Sequence, residues 1–329
     1  SSSEQHQSSV KYVSCSNQTK GGFWEFSICN FFSSTYDQHQ DASSCSESRF
    51  SARHCFFHDI TANTDGGAVY LRAQGVLSLK SNIFLNCITK SSIAGGVCAI
   101  VGTITGSKNC FYRVYSTLLE LAFYSEVVDS LNSLNGSLVI FCSPYPIGDQ
   151  DIFCFKGGYT ICNSYNMSHS CIAQRHGMIA KSSSGMSLFY FGNDVNNSLG
   201  CLVTGWSDTS TGYGCSYDQC NYVDNRKYGA YWLQLVHAHS ATIKLTNAVV
   251  VNNNYDGFSS YYGHSKIDFV GCHFCANSFG TPQNGLSCTQ TQAHLPSAPN
   301  LRNCLVSSKN FTVPDVMRLL LSAGFLMIG

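Results

Sequence analysis

Short stretches of alternating apolar and polar residues, each closed by Gly, Asn or Ser, run along most of the chain. Gly66-Gly67-Ala68-Val69-Tyr70-Leu71 opens one such stretch, and the run from Leu77 through Asn82-Ile83-Phe84 to Cys87 holds the next two. Alternation over four to six residues predicts half-buried strands, and no long helical pattern competes before residue 313. The pattern recurs. Gly95-Gly96-Val97-Cys98 repeats the glycine-pair strand 29 residues after Gly66, and Asn109-Cys110-Phe111 repeats Asn82-Ile83-Phe84 27 residues on. Later, Thr242-Ile243-Lys244-Leu245 and Lys266-Ile267-Asp268-Phe269 align with a step of 24. Self-similarity at such a period marks a solenoid.

One strand of this length cannot bury its apolar face, whereas equivalent strands stacked in register can, and parallel stacking needs a crossover per repeat. The pattern therefore predicts an all-β, right-handed parallel β-helix. Phe84, Phe111 and Phe274 become internal aromatic rungs. Asn82, Asn109 and Asn247 fall where turn asparagines take left-handed angles and bond the next coil. The glycine pairs supply backbone conformations closed to other residues. Residues 1–20 read as a polar lead-in and 21–312 as the solenoid. Within it, irregular spacing at about 118–232 predicts insertions, where Cys142, Cys154, Cys162 and Cys171 crowd together. In the closing segment 313–329, Val316 to Gly329 is apolar apart from Arg318 and Ser322, and its uninterrupted part is shorter than the roughly 17–25 residues of a membrane span. The segment reads either as a short helix closing the last coil or as a truncated membrane anchor.

Charge narrows the choice of partners. Only 12% of the 329 residues are charged, 19 basic against 19 acidic, which leaves no electrostatic footprint for nucleic acid or anionic lipid. Eighteen scattered cysteines, an even number, point to an oxidising, extracytoplasmic setting. The disulfide candidates are Cys87, Cys110, Cys142, Cys154, Cys162, Cys171, Cys215, Cys220, Cys272 and Cys275, with Cys87 to Cys110 a bridge that adjacent coils would allow. Five glycosylation sequons begin at Asn17, Asn135, Asn166, Asn196 and Asn310. Together these features predict an extracellular or cell-surface protein. Ser1 to His6 has neither the basic start nor the apolar core of a signal peptide, so that reading implies a processed chain or a fragment.

Gly66-Gly67-Ala68-Val69 resembles the GGA(I/L/V) motif of chlamydial polymorphic membrane proteins, and Phe274-Cys275-Ala276-Asn277 resembles their FxxN motif. Similar repeats occur in large surface proteins of parasitic protists such as trichomonads. The likeness covers residues 50–115 and 240–280. Gly95-Gly96-Val97-Cys98 departs from it in lacking the Ala, and Phe84-Leu85-Asn86-Cys87 in carrying Cys where the motif has Asn. The resemblance implies a β-helical adhesin or coat protein without assigned catalytic residues.

Four constellations bear on chemistry. Asn63-Thr64-Asp65-Gly66 resembles the first motif of polygalacturonase-like glycosidases, and Tyr262-Gly263-His264-Ser265-Lys266-Ile267 faintly resembles their later ones. Glycoside hydrolysis needs two carboxylates flanking the bond. The chain has no Asp-Asp pair, and the nearest substitutes, Asp149 and Asp151, are far off in sequence. Asp65 therefore reads as a turn residue, with Asp65, Asp149, Asp151, His264 and Lys266 kept as the enzymatic alternative. Cys272-His273-Phe274-Cys275 lacks a second ligand pair for zinc. His237-Ala238-His239 places two imidazoles on one side of a strand, read as an exposed polar face. Tyr213, Tyr231, Trp232, Tyr255, Tyr261 and Tyr262 are the candidate binding aromatics.

The reading reached is a non-enzymatic structural or adhesive β-helix that self-assembles or meets surface proteins or glycans. It needs no cofactor or metal and no nucleic acid, and touches membrane only through an anchor at 313–329. A carbohydrate-active enzyme and a sugar-binding module are the alternatives.

Overall fold

The computed structural model describes residues 49–287 with short interruptions, preceded by the strands Phe23–Ser27, Asn30–Phe32 and Thr35–Tyr36. The described residues are all-β and contain no helix. One coil shows the plan. Val69–Arg72 lies on a first face, Val76–Lys80 on a second and Ile83–Leu85 on a third, with the two-residue strand Ile88–Thr89 completing the turn. Each strand pairs in parallel with its equivalent one coil on. The faces thus grow into sheets of eight, ten and eleven strands. The fold is a parallel β-solenoid.

Stacking converts positions in the repeat into columns running along the axis. Phe84 aligns with Phe57 and Phe111, and the three rings stack with centroids 4.9 and 4.7 Å apart, nearly coplanar. Phe189 and Tyr217 form a second stack at 4.5 Å. Phe84, Phe111 and Phe274 are all buried, as internal rungs should be. Offset aromatic pairs contribute about 0.5–1.5 kcal/mol beyond their burial.

The corners decide the repeat. Between the second and third faces one residue per coil takes a left-handed backbone: His54, Ser81, Lys108, Gly136, Ser164, Phe191, Gln219, Asn247 and Gly271. Its N–H donates to a carbonyl of the next coil, as from Ser81 to Ser107 at 2.8 Å and from Lys108 to Asn135 at 2.7 Å. A second left-handed column follows the third face, through Asp59, Asn86, Arg113, Asn196, Asp224, Asn252 and Ala276. Asn247 therefore occupies the left-handed position expected of it. Asn82 and Asn109 do not. They follow the left-handed residue and point inward, where the Asn109 carbonyl oxygen accepts from both the main-chain and side-chain N–H of Asn82 at 3.1 Å. A longer ladder of this kind runs at the next corner through Asn197, Asn225, Asn253 and Asn277. This explains the FxxN spacing: an inward residue, an outward one, a left-handed corner, then an inward, ladder-forming asparagine.

Two expectations are corrected by the register. Val69 pairs with Val97, so Gly67 aligns with Gly95 and Gly66 with Ala94, one residue off the apparent glycine-pair repeat. Gly66 and Ala94 both take left-handed angles. At Gly67 and Gly95 it is proximity that excludes a side chain. A Cβ would lie 2.1 Å from the Gly95 carbonyl oxygen in the first case and 2.0 Å from that of Tyr115 in the second. The middle of the chain is also more regular than its sequence suggests. Asn132 meets Thr160 and Asn193 meets Asn221 at a separation of 28 residues in each case, close to the 27 between Asn82 and Asn109. The second and third faces run unbroken through residues 118–232, and the spacing varies in connections on either side of the first face, as from Ile140 to Phe153 and from Trp206 to Cys215. The lead-in at 1–20 and the apolar run at 313–329 lie outside the described residues.

Gly95→Ala is expected to lose about 1–3 kcal/mol or more, because the obstructing atoms are backbone. Gly257→Ala, whose Cβ would meet only Gln234 at 3.5 Å, should stay within about 0.5 kcal/mol of the parent. Urea unfolding of the two variants separates these outcomes. Lys108→Gly, which installs at an exposed corner the residue that Gly136 supplies one coil on, should raise stability by up to about 1 kcal/mol. A fall in the unfolding midpoint would refute the strain assigned to that column.

Candidate functional site

The register sets the described residues of the enzymatic alternative apart from one another. Asp65 is half-buried, and its carboxylate accepts the main-chain N–H of Ile93 at 3.0 Å, fastening its own turn to the next coil. Asp151 is buried at 1% exposure beside the strand Phe153–Lys156. That strand stands three rungs from Val69–Arg72, about 14 Å at ordinary strand spacing and beyond the roughly 9.5 Å limit for a hydrolytic pair. His264 and Lys266 are exposed at the far end of the stack, where Lys266 pairs with Asp268 at 2.6 Å. Asp149 lies outside the described residues. Among the described residues, no three or more His, Cys, Asp or Glu gather in a metal-holding group.

The cysteines serve the interior. Cys55, Cys87, Cys98, Cys142, Cys154, Cys162, Cys201, Cys215, Cys220 and Cys272 are buried thiols outside any disulfide. This corrects the expectation of bridges at Cys87, Cys142, Cys154, Cys162, Cys215, Cys220 and Cys272. The pairing of Cys87 with Cys110 fails on register, since Cys110 aligns with Ile83. The Cys87 thiol instead donates to the carbonyls of Phe57 and Leu85, both at 3.5 Å. Cys110 and Cys275 are the two described cysteines that do not stand as thiols, and Cys171 lies outside the described residues. In Cys272-His273-Phe274-Cys275, Cys272 turns inward at a corner and donates to Leu245 at 3.5 Å, so the motif holds no joint ligand pair.

The aromatic candidates divide. Tyr255 is core, 2% exposed, and is withdrawn as a binding residue. Tyr261 and Tyr262 are 56% and 59% exposed on the last strand of the first face, where Tyr262 stacks on His239 at 4.6 Å. Tyr213, Tyr231 and Trp232 lie outside the described residues. His237 and His239 do share one side of their strand. His237 is buried, however, with Nδ1 2.7 Å from the Ser260 hydroxyl, which corrects the exposed polar face. Of the sequons, Asn135 is exposed while Asn166 and Asn196 are half-buried; Asn17 and Asn310 lie outside the described residues.

Burial of outward-pointing side chains distinguishes the faces. On the first face the outward column from Cys98 through Tyr124, Cys154, Ile179 and Thr204 to His237 is buried except at half-buried Tyr124. On the third, outward Phe56, Ile83, Cys110 and Tyr112 are buried, while Leu85, Val195, Val223 and Val249 are half-buried and His273 is exposed. The second face is open. Along its middle column Ser78, Thr105, Ser133, Ile161 and Leu188 succeed one another, all half-exposed. Tyr159, 36% exposed, stands on the same face beside Leu131. Asn135 and Asn163 line one margin. From Thr103 to Tyr190 this face projects no charged side chain outward. The flanking charges are Arg49, Arg53 and Lys80 at one end and Asp218, Lys244 and Lys266 at the other. The sequence signal for the patch was the polar phase of each strand, visible only once the register aligned the phases.

No protein-family model, curated protein or solved structure matches this chain.

Burial pushes the thiols of Cys154, Cys215 and Cys220 up to about 12, so both access and thiolate formation are suppressed in the native fold. Iodoacetamide at pH 8 should leave these three unlabelled in native protein and label them fully in denaturant, as read by peptide mass spectrometry. Rapid native labelling of Cys215 or Cys220 would contradict the packing described.

Proposed function

We propose that this protein is a non-catalytic adhesive or coat solenoid of the cell exterior, and that it makes contact through its second face. The observation that carries this reading is the flat, uncharged surface from Thr103 to Tyr190. Its neutrality disfavours nucleic acid, anionic lipid and acidic polymers. Its hydroxyls, amides and exposed Tyr159 suit an uncharged glycan, to which aromatic faces and polar rows offer stacking and hydrogen bonds together. The patch spans about 17 Å by 19 Å, roughly 320 Å². A stable protein pair needs nearer 800 Å² per partner. A small flat contact of this kind gains strength by repetition, when many copies are held on one surface.

The location rests on the sequons and the low charge, because buried thiols serve core packing and carry no information about redox compartment. The inward Phe274 and the half-buried, ladder-forming Asn277 occupy the positions that resemble the FxxN motif of the chlamydial and trichomonad surface repeats, which is consistent with a shared scaffold role.

Protein coupled to beads and presented to an array of uncharged and acidic glycans tests the proposal. Retention on uncharged glycans, lost in Tyr159→Ala and in Ile161→Asp but kept in Tyr262→Ala, is the expected result. Loss only in Tyr262→Ala would move the contact to the first face. Release of sugar fragments would replace the adhesive reading with an enzymatic one, and retention on no uncharged glycan would remove the proposed partner.

A further inference from the structure

The third face points one residue into the core per coil: Phe57, Phe84, Phe111, later Met167, then Asp194, Tyr222 and Val250. Asp194 stands out as an acid in an apolar column, 2% exposed between Met167 and Tyr222. Its Oδ2 accepts one hydrogen bond, from the Tyr165 hydroxyl at 3.2 Å, and its Oδ1 has no hydrogen-bond partner. The titratable groups facing it are the hydroxyls of Tyr165, Tyr217, Tyr222 and Tyr255 and the thiol of Cys220. Cys162 lies beyond Tyr217, and Cys201 beyond Tyr255. All are neutral acids, and no cation is among them.

We propose that Asp194 is a proton-binding site built into the core, occupied in the folded protein, so that the solenoid is firmest in acid and loosens as the medium turns alkaline. A carboxylate there would face desolvation with a single long hydrogen bond and no counter-charge, the arrangement a buried ion tolerates least. The neutral acid removes the charge. It also adds an O–H donor to a cluster in which the Tyr255 hydroxyl lacks a hydrogen-bond partner. Burial accordingly pushes its pKa well above the carboxylate range, with the Tyr165 hydrogen bond acting in the opposite direction.

The sign of the pH dependence follows. The folded chain holds this proton more tightly than the unfolded chain, whose aspartate releases it near pH 3.9. Its stabilisation is complete below that value. Above it, the folding equilibrium falls by about tenfold per pH unit until the folded-state pKa is reached. The many other ionisable groups add slopes of their own, so the quantity to read is the difference between the parent and Asp194→Asn. Asparagine preserves the shape and the acceptor for Tyr165 and cannot ionise.

Urea unfolding of parent and Asp194→Asn at unit steps from pH 5 to pH 9 tests the site. The ratio of their folding constants should shift against the parent by about tenfold per unit over the lower part of that range. Parallel curves would overturn the proposal. Should the variant fail to fold, the parent alone decides it. Infrared spectra at pH 7 should contain the carbonyl band of one un-ionised carboxylic acid, abolished on unfolding. A native spectrum of carboxylates only would also overturn it.

Discussion

Every rung of this solenoid is shaped by the demand that its backbone superimpose on the rungs on either side. Parallel strands exchange hydrogen bonds only where their directions agree, so a corner in one coil forces the same corner in the next. The left-handed residue beside each third-face strand is the device that makes such corners. Sixteen described non-glycine residues accept a positive φ, a conformation that costs about 1–2 kcal/mol each. The cost is offset locally. Thirteen of these residues donate their N–H groups to the next coil at 2.7–3.1 Å, and the inward residue that follows is free to join a ladder. Once the corners coincide, columns are a geometric consequence, and with them the stacked phenylalanines, the asparagine ladders and the buried thiols.

That constraint also explains what a reader of the sequence sees and misses. Phe84 and Phe111 were legible because ring stacking rewards the same residue at the same place. Gly66-Gly67 and Gly95-Gly96 misled by one residue. The two glycines of a pair answer different needs, a left-handed angle at Gly66 and a close backbone approach at Gly67, and Ala94 meets the first need in the next coil. The cysteines misled more deeply. Their even count suggests bridges, whereas a buried corner needs a small apolar side chain. At one corner that place is filled in turn by Ile60, Cys87, Val114 and Cys142 before the asparagines take over. Nothing in the local sequence distinguishes a cysteine used for volume from one used for bonding.

Tolerance in one direction goes with strictness in another. A column asks that each rung fill a similar volume with the same direction of approach, and it is indifferent to whether the filling atoms are carbon. Polar groups enter the core wherever a neighbour one rung away accepts them, as where the Asn225 side-chain amide donates to the Asn253 carbonyl oxygen at 3.0 Å. Asp194 and its tyrosines are the extreme of this tolerance. Their side chains keep the bulk of the aromatic column while leaving hydroxyl and carboxyl oxygens without hydrogen-bond partners. Asp194-Val195-Asn196-Asn197 reads as a surface turn in the sequence, because only the register shows that Asp194 continues the line of Phe84 and Phe111.

The division between inside and outside then bears on function. Interior positions are committed to stacking: carboxylates are spaced by rungs, and thiols are held against backbone carbonyls. Such a scaffold is suited to repeating a modest contact at fixed spacing over a flat face. The second face meets that condition, since its strands match closely in length and its outward side chains are neither covered nor charged between Thr103 and Tyr190. The absence of charge from that stretch costs solubility, and the corner columns counter it. Lys108, Asp224 and Asn252 project there into solvent, away from the contact surface. The strained corners thus build the stack and carry its solvation, which leaves the open face available for recognition.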